Sequence, residues 1–125
     1  MKLEILIIFS SIFLFFTAFK ENNEREKLTD GTDLYCLGEA VAFAETSGCT
    51  AGVARYNNCH GIMFAGEPAI FLEKKDSYEY FYNLWRENYK IYPTVYLAGI
   101  YTGNDKPYLW LEAVNQSYQQ CLNEL

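Results

Sequence analysis

The stretch Glu45-Thr46-Ser47-Gly48-Cys49-Thr50-Ala51-Gly52-Val53-Ala54-Arg55-Tyr56-Asn57-Asn58-Cys59-His60-Gly61-Ile62-Met63 decides how the rest of the chain is read. Upstream of it Leu34, Leu37, Val41 and Ala44 recur at three- and four-residue steps with Phe43 beside them, which predicts a helix capped by Thr32 or Asp33. Glu45 falls in the last turn of that helix, and Gly48 is placed to end it. Thr50 is placed to cap a short helix from Ala51 to Tyr56, which Asn57 and Asn58 close in a turn. A helix C-terminus carries partial negative charge, and an apolar wall disfavours an ionised carboxylate further, so both raise the pKa of Glu45. A carboxyl group protonated near neutral pH is what a glycosidase uses to donate to the leaving oxygen. The competing reading of Glu45 is an ordinary solvent-facing residue at a helix end.

The order of these residues, a helix-ending Glu45, then Ser47-Gly48, then Asn57-Asn58-Cys59-His60-Gly61-Ile62, resembles the catalytic core of the lysozyme-like superfamily. It is most similar there to the glucosaminidase family, which includes flagellar muramidases and mannosyl-glycoprotein endo-β-N-acetylglucosaminidase-like domains. The resemblance spans roughly residues 33–120 and is densest over 44–63 and 100–118. It implies a mostly helical α+β domain of lysozyme-like fold with a small irregular or hairpin lobe beside a cleft. It implies Glu45 as general acid, and Asn57, Asn58, Gly61 and Ile62 as the substrate-binding turn under the sugar. Tyr101, in Tyr101-Thr102-Gly103, is similar to a family element whose phenol lies near the acid, and is expected as a positioning or charge-stabilising donor. The alternative for Tyr101 is a core tyrosine. Either asparagine amide could tie the loop backbone together or hold an N-acetyl group. Cys49 stands where the family carries an aromatic residue, so one sugar subsite is expected to differ.

The 125 residues, half of them apolar and 18% aromatic, suit one small domain with a packed core, and leave no room for a second. A net charge of -6 argues against a nucleic-acid partner, which needs a basic footprint, and offers an anionic cell wall no long-range attraction. Residues 5–19 form an apolar run that fits a secretory signal and falls short of the ~20 residues of a bilayer span. Residues 1–19 are therefore expected as a signal peptide or an N-terminal membrane anchor, 20–31 as a charged linker, and 32–125 as the glycosidase domain. Cys36, Cys49, Cys59 and Cys121 behind an export signal read as two disulfides with three possible connectivities. The favoured one joins Cys49 to Cys59, clipping the active-site loop, and Cys36 to Cys121, tying first helix to last. With a single histidine, His60, and no Cys-x-x-Cys pair, a zinc site is disfavoured, and no metal or cofactor is expected. His60 reads as a packed loop residue rather than a base.

Glycine, proline and a short apolar run over 64–75 predict a loop with an irregular strand or hairpin, where Glu67 and Glu73 are the candidates for a second carboxylate. Asp76-Ser77-Tyr78-Glu79 has the spacing of a helix start running to about Tyr89, with Tyr78, Phe81, Trp85 and Tyr89 on one face. Pro93 opens a further helix over Thr94 to Tyr101. Asp105 is expected to cap the last one, from Pro107 to about Leu122. Together these features lead us to expect an exported, monomeric enzyme cleaving the β-1,4 bonds between N-acetylglucosamine and N-acetylmuramic acid in peptidoglycan or a related glycan. The alternatives are a lytic transglycosylase on the same glycan and a catalytically inactive glycan-binding module of the same fold.

Overall fold

Helix α1, Gly31–Thr46, is the element on which the others pack, as its apolar spacing predicts. The computed structural model describes residues 31–103 and 106–125. The expected signal or anchor over 1–19, the charged segment up to residue 30 and the Asp105 cap lie outside the described residues. After α1 come a 3-10 turn Gly52–Tyr56, strands β1 Met63–Phe64 and β2 Glu67–Pro68, helix α2 Lys74–Leu84, helix α3 Val95–Thr102 and helix α4 Pro107–Glu124. The domain is thus mostly helical with one small two-stranded sheet.

Leu34, Leu37, Ala40 and Val41 of α1 are buried in a core shared with Phe81 and Trp85, Leu97 of α3 and Val114 of α4. This packing, rather than helix propensity, holds a set of helices this short. Phe81 stacks on Trp85 with ring centroids 4.7 Å apart, and Tyr89 meets Trp85 edge-on at 4.7 Å. The face expected from the spacing of Phe81, Trp85 and Tyr89 is therefore the core face. After Leu84 the helix widens into a π turn over Trp85–Tyr89, and the Trp85 indole is satisfied by the carbonyl of Ile91 at 2.9 Å. Thr94 caps α3 by accepting from the Leu97 amide.

Two disulfides fasten this frame, Cys36–Cys121 between α1 and α4 and Cys49–Cys59 across the loop after α1, the pairing favoured from the sequence. Such bonds are characteristic of oxidising, extracytoplasmic surroundings. Among the described residues no helix is long and apolar enough to cross a membrane.

The lobe expected over 64–75 is a two-residue hairpin in which Met63 pairs with Pro68 and Phe64 with Glu67. Its turn residues Ala65 and Gly66 both have positive φ, 50° and 82°, the combination that matches a tight turn to the twist of paired strands. Two local expectations are corrected. The start of α2 lies at Lys74, not Asp76: Glu73 is the N-cap and Asp76 the third helical residue, and each side chain accepts from the other's backbone amide. The 3-10 turn has no side-chain cap, because the Thr50 hydroxyl donates to the carbonyl of Ser47 instead.

Candidate functional site

The chain leaves α1 through three residues of positive φ, Ser47, Gly48 and Cys49, and buried hydrogen bonds hold the reversal. Thr46 Oγ1 lies 2.9 Å from the Ala42 carbonyl and 2.7 Å from the Cys59 carbonyl, and accepts from the Cys49 amide at 3.0 Å. One buried hydroxyl thus joins the helix end to both halves of the Cys49–Cys59 loop.

Asn58 is fully buried, and its amide is occupied: it donates to the Ile62 carbonyl at 2.8 Å and the Ala69 carbonyl at 3.1 Å, and accepts from the Ile62 amide at 2.9 Å. Asn57, in the left-handed region, donates to the carbonyls of Phe71 and Leu72. Of the two roles open to these amides, tying the loop is the one the geometry displays. Asn58 and Ile62, the latter only 5% exposed, lie beneath the surface and brace the turn.

His60 is also fully buried. Its Nε2 faces the Gly38 carbonyl at 3.0 Å, so that nitrogen carries the hydrogen, and Nδ1 accepts from the Ser77 hydroxyl at 2.8 Å. Ser77 in turn accepts from the Cys59 amide. The ring stacks on Phe81 at 4.6 Å. Burial pushes its pKa down to about 4, only partly countered by the Gly38 bond, so the imidazole is neutral and structural.

Above this scaffold sits Glu45. A side-chain carbon built on Gly61, whose φ is 66°, would stand 2.7 Å from Glu45 Oε2 and 2.9 Å from Cδ, so the carboxyl lies against the bare backbone of the turn. Trp110 of α4 donates from its indole nitrogen to Glu45 Oε1 at 3.0 Å. Burial raises the Glu45 pKa above the usual carboxylate value, and the Trp110 bond works in the opposite direction. Tyr101 is close enough for the Glu45 charge to push the phenol pKa higher still, after burial as the main cause. The Tyr101 hydroxyl donates to the His60 carbonyl, and its ring lies 5.2 Å from Trp85 and 5.5 Å from Trp110. The phenol proton is therefore committed to the peptide that precedes Gly61. Tyr101 thus holds the turn that faces Glu45.

The structure thus brings together Glu45, Gly61 and Tyr101, adds Trp110, braces the Gly61 turn with Asn58 and Ile62, and ties Asn57 to the segment after the hairpin. The helical spacing of α4 could place Trp110 on an inward face with Val114, but nothing local links an indole to a carboxylate 65 residues earlier. Glu73 is used in the α2 cap and an ion pair with Lys75, and Glu67 is exposed on the hairpin. Among the described residues no group of His, Cys, Asp or Glu is placed to hold a metal ion. Comparison with protein-family models, curated proteins and solved structures found no match.

Proposed function

We propose that this chain is a lysozyme-like glycoside hydrolase, exported from the cell, that cuts the β-1,4 bonds between N-acetylglucosamine and N-acetylmuramic acid in peptidoglycan, with Glu45 as general acid. The observation that carries the reading is a half-buried carboxyl at a helix end, raised in pKa by desolvation and packed closely against a glycine. Such a group holds a proton that an exposed glutamate would have lost, and can give it to a leaving glycosidic oxygen. The resemblance of the Glu45 to Ile62 stretch to the glucosaminidase family supplies the substrate class. In this reading Asn57, Asn58 and Ile62 support the floor under the sugar, Tyr101 fixes the His60-Gly61 peptide, and the two disulfides suit an extracytoplasmic enzyme. Residues 5–19 serve as the export signal or a membrane tether.

Purified Glu45→Gln, which removes the acid and keeps the shape, is expected to lose clearing of isolated cell wall by at least about 100-fold, the scale of general acid catalysis. Equal clearing by mutant and wild type removes the enzymatic reading. Binding without clearing by the wild type favours an inactive glycan-binding module. One observation favours a lytic transglycosylase as the second reading: the engaged Glu73 and the exposed Glu67 leave Glu45 without a second carboxylate from the residues expected to supply it. A single acid can then rely on a hydroxyl of the substrate to complete the reaction. Mass spectrometry of the fragments separates the two, since hydrolysis leaves reducing ends and transglycosylation leaves anhydromuramyl ends.

A further inference from the structure

Trp110 and Gly61 meet the same carboxyl from two sides. The indole holds Oε1 at 3.0 Å, while Oε2 lies over the one residue of the turn that has no side chain. We propose that Trp110 is a positioning residue that gives the two oxygens of Glu45 separate roles: Oε1 stays bonded to the indole, and Oε2 carries the proton that is transferred. The inference deepens the general-acid reading and rests on it.

An indole N–H can only donate, so it cannot face a carboxylic hydroxyl hydrogen. In the neutral acid Oε1 is therefore the carbonyl oxygen and Oε2 bears the hydrogen. When that proton passes to the glycosidic oxygen, the anomeric carbon–oxygen bond breaks with its electron pair going to the same oxygen, the anomeric carbon is captured by water or by a hydroxyl of the substrate, and Glu45 is left as a carboxylate. The new charge meets a donor already in place at Oε1, with no rearrangement required. Trp110 also limits how far burial can raise the pKa, since a bond from N–H favours the anion. Trp110 itself does not titrate, and Tyr101 from α3 is a neutral phenol with its proton on the His60 carbonyl. His60 is uncharged above about 4 and points to Gly38 and Ser77, and the Tyr89 ring packs edge-on against Trp85. Among these groups, a charge change near Trp110 above that pH belongs to Glu45.

The test follows the two indole N–H resonances of the full-length protein by NMR from pH 3 to 9. Trp85, bonded to the Ile91 carbonyl, is the internal reference. One indole is expected to titrate with a midpoint above the usual glutamate value, to stop titrating in Glu45→Gln, and to be missing in Trp110→Phe. In Trp110→Phe, which keeps an aromatic ring in the packing, the alkaline limb of wall clearing is expected to move up by about one pH unit, because the donor that favoured the anion is gone. An indole that stays unchanged over this range, a titration that persists in Glu45→Gln, or a limb that does not move in Trp110→Phe each overturns the proposal. A titrating indole in a protein that cuts no glycan upholds the Trp110 bond and removes the general-acid reading instead, so the two failures are distinct.

Discussion

Replacing Gly61 by alanine tests whether the turn is shaped to admit the Glu45 carboxyl. Two costs are separable. The first is backbone: at φ 66° an L-residue loses about 1 kcal/mol relative to glycine. The second is steric: the new methyl would stand 2.7 Å from Oε2 and 2.9 Å from Cδ, so the carboxyl must retreat by about 0.7 Å to reach ordinary contact at 3.4 Å. That retreat strains or breaks the Trp110 bond, worth about 1–2 kcal/mol. The destabilisation expected for Gly61→Ala is therefore about 2–3 kcal/mol. Gly66→Ala is the control, because its φ is also positive, 82°, while nothing lies within 4 Å of the added carbon, leaving about 1 kcal/mol from the backbone alone. Urea unfolding measures both variants, and wall clearing by the folded fraction measures the site. A general acid displaced by most of an ångström is expected to lose turnover by about 100-fold, whereas Gly66→Ala keeps it. Equal stability and equal clearing for the two variants would refute the close approach of Gly61 to Glu45.

The pH dependence of stability is expected to be governed by His60. Its folded pKa, about 4, is below the unfolded value of 6.5, so the unfolded chain binds the extra proton, and stability present above about pH 6.5 is lost as the pH falls toward 4, by about 3 kcal/mol. Glu45 acts oppositely: its raised pKa gives stability at low pH that is lost as the pH rises through the folded value. Urea unfolding of Glu45→Gln, which removes the opposing group, at pH 7 and pH 4.5 isolates the His60 contribution, and a stability unchanged or higher at the lower pH contradicts the His60 assignment. Replacing Cys36 and Cys121 together by serine is expected to cost about 5 kcal/mol through loop closure over a separation of 85, against about 3 kcal/mol for Cys49 and Cys59 over 10, measured as the difference in unfolding free energy between the two double variants. Asn58→Ala leaves the Ile62 amide and two carbonyls without their side-chain partner in the core; a loss of about 3 kcal/mol in thermal or urea unfolding is expected, and a near-neutral result would mean that other groups satisfy them.

Local chemistry made much of this domain legible. Leu34, Leu37 and Val41 announce α1 because a helix of period 3.6 must bury one stripe, and the four cysteines that follow an apolar N-terminal run of sequence announce two bridges. Ala65-Gly66 lies in the segment read as a hairpin or irregular strand, and forms a tight turn. The α2 start was displaced because Glu73 and Asp76 cap reciprocally, an arrangement with the same spacing as the one read three residues later, and Ser77 was drawn inward by His60 and the Cys59 amide.

What the residues alone determined was the set of helices, the pairing expected of the cysteines and the place of Glu45 at a helix end, all of which depend on neighbours within a few turns or on redox chemistry. The tertiary structure decided what surrounds that carboxyl: an indole from the last helix, the bare backbone of Gly61, and a phenol whose proton is spent on His60. Those contacts join positions far apart in the chain, and which of several inward-facing polar side chains meets which partner is fixed only when the helices pack and each buried donor must find an acceptor.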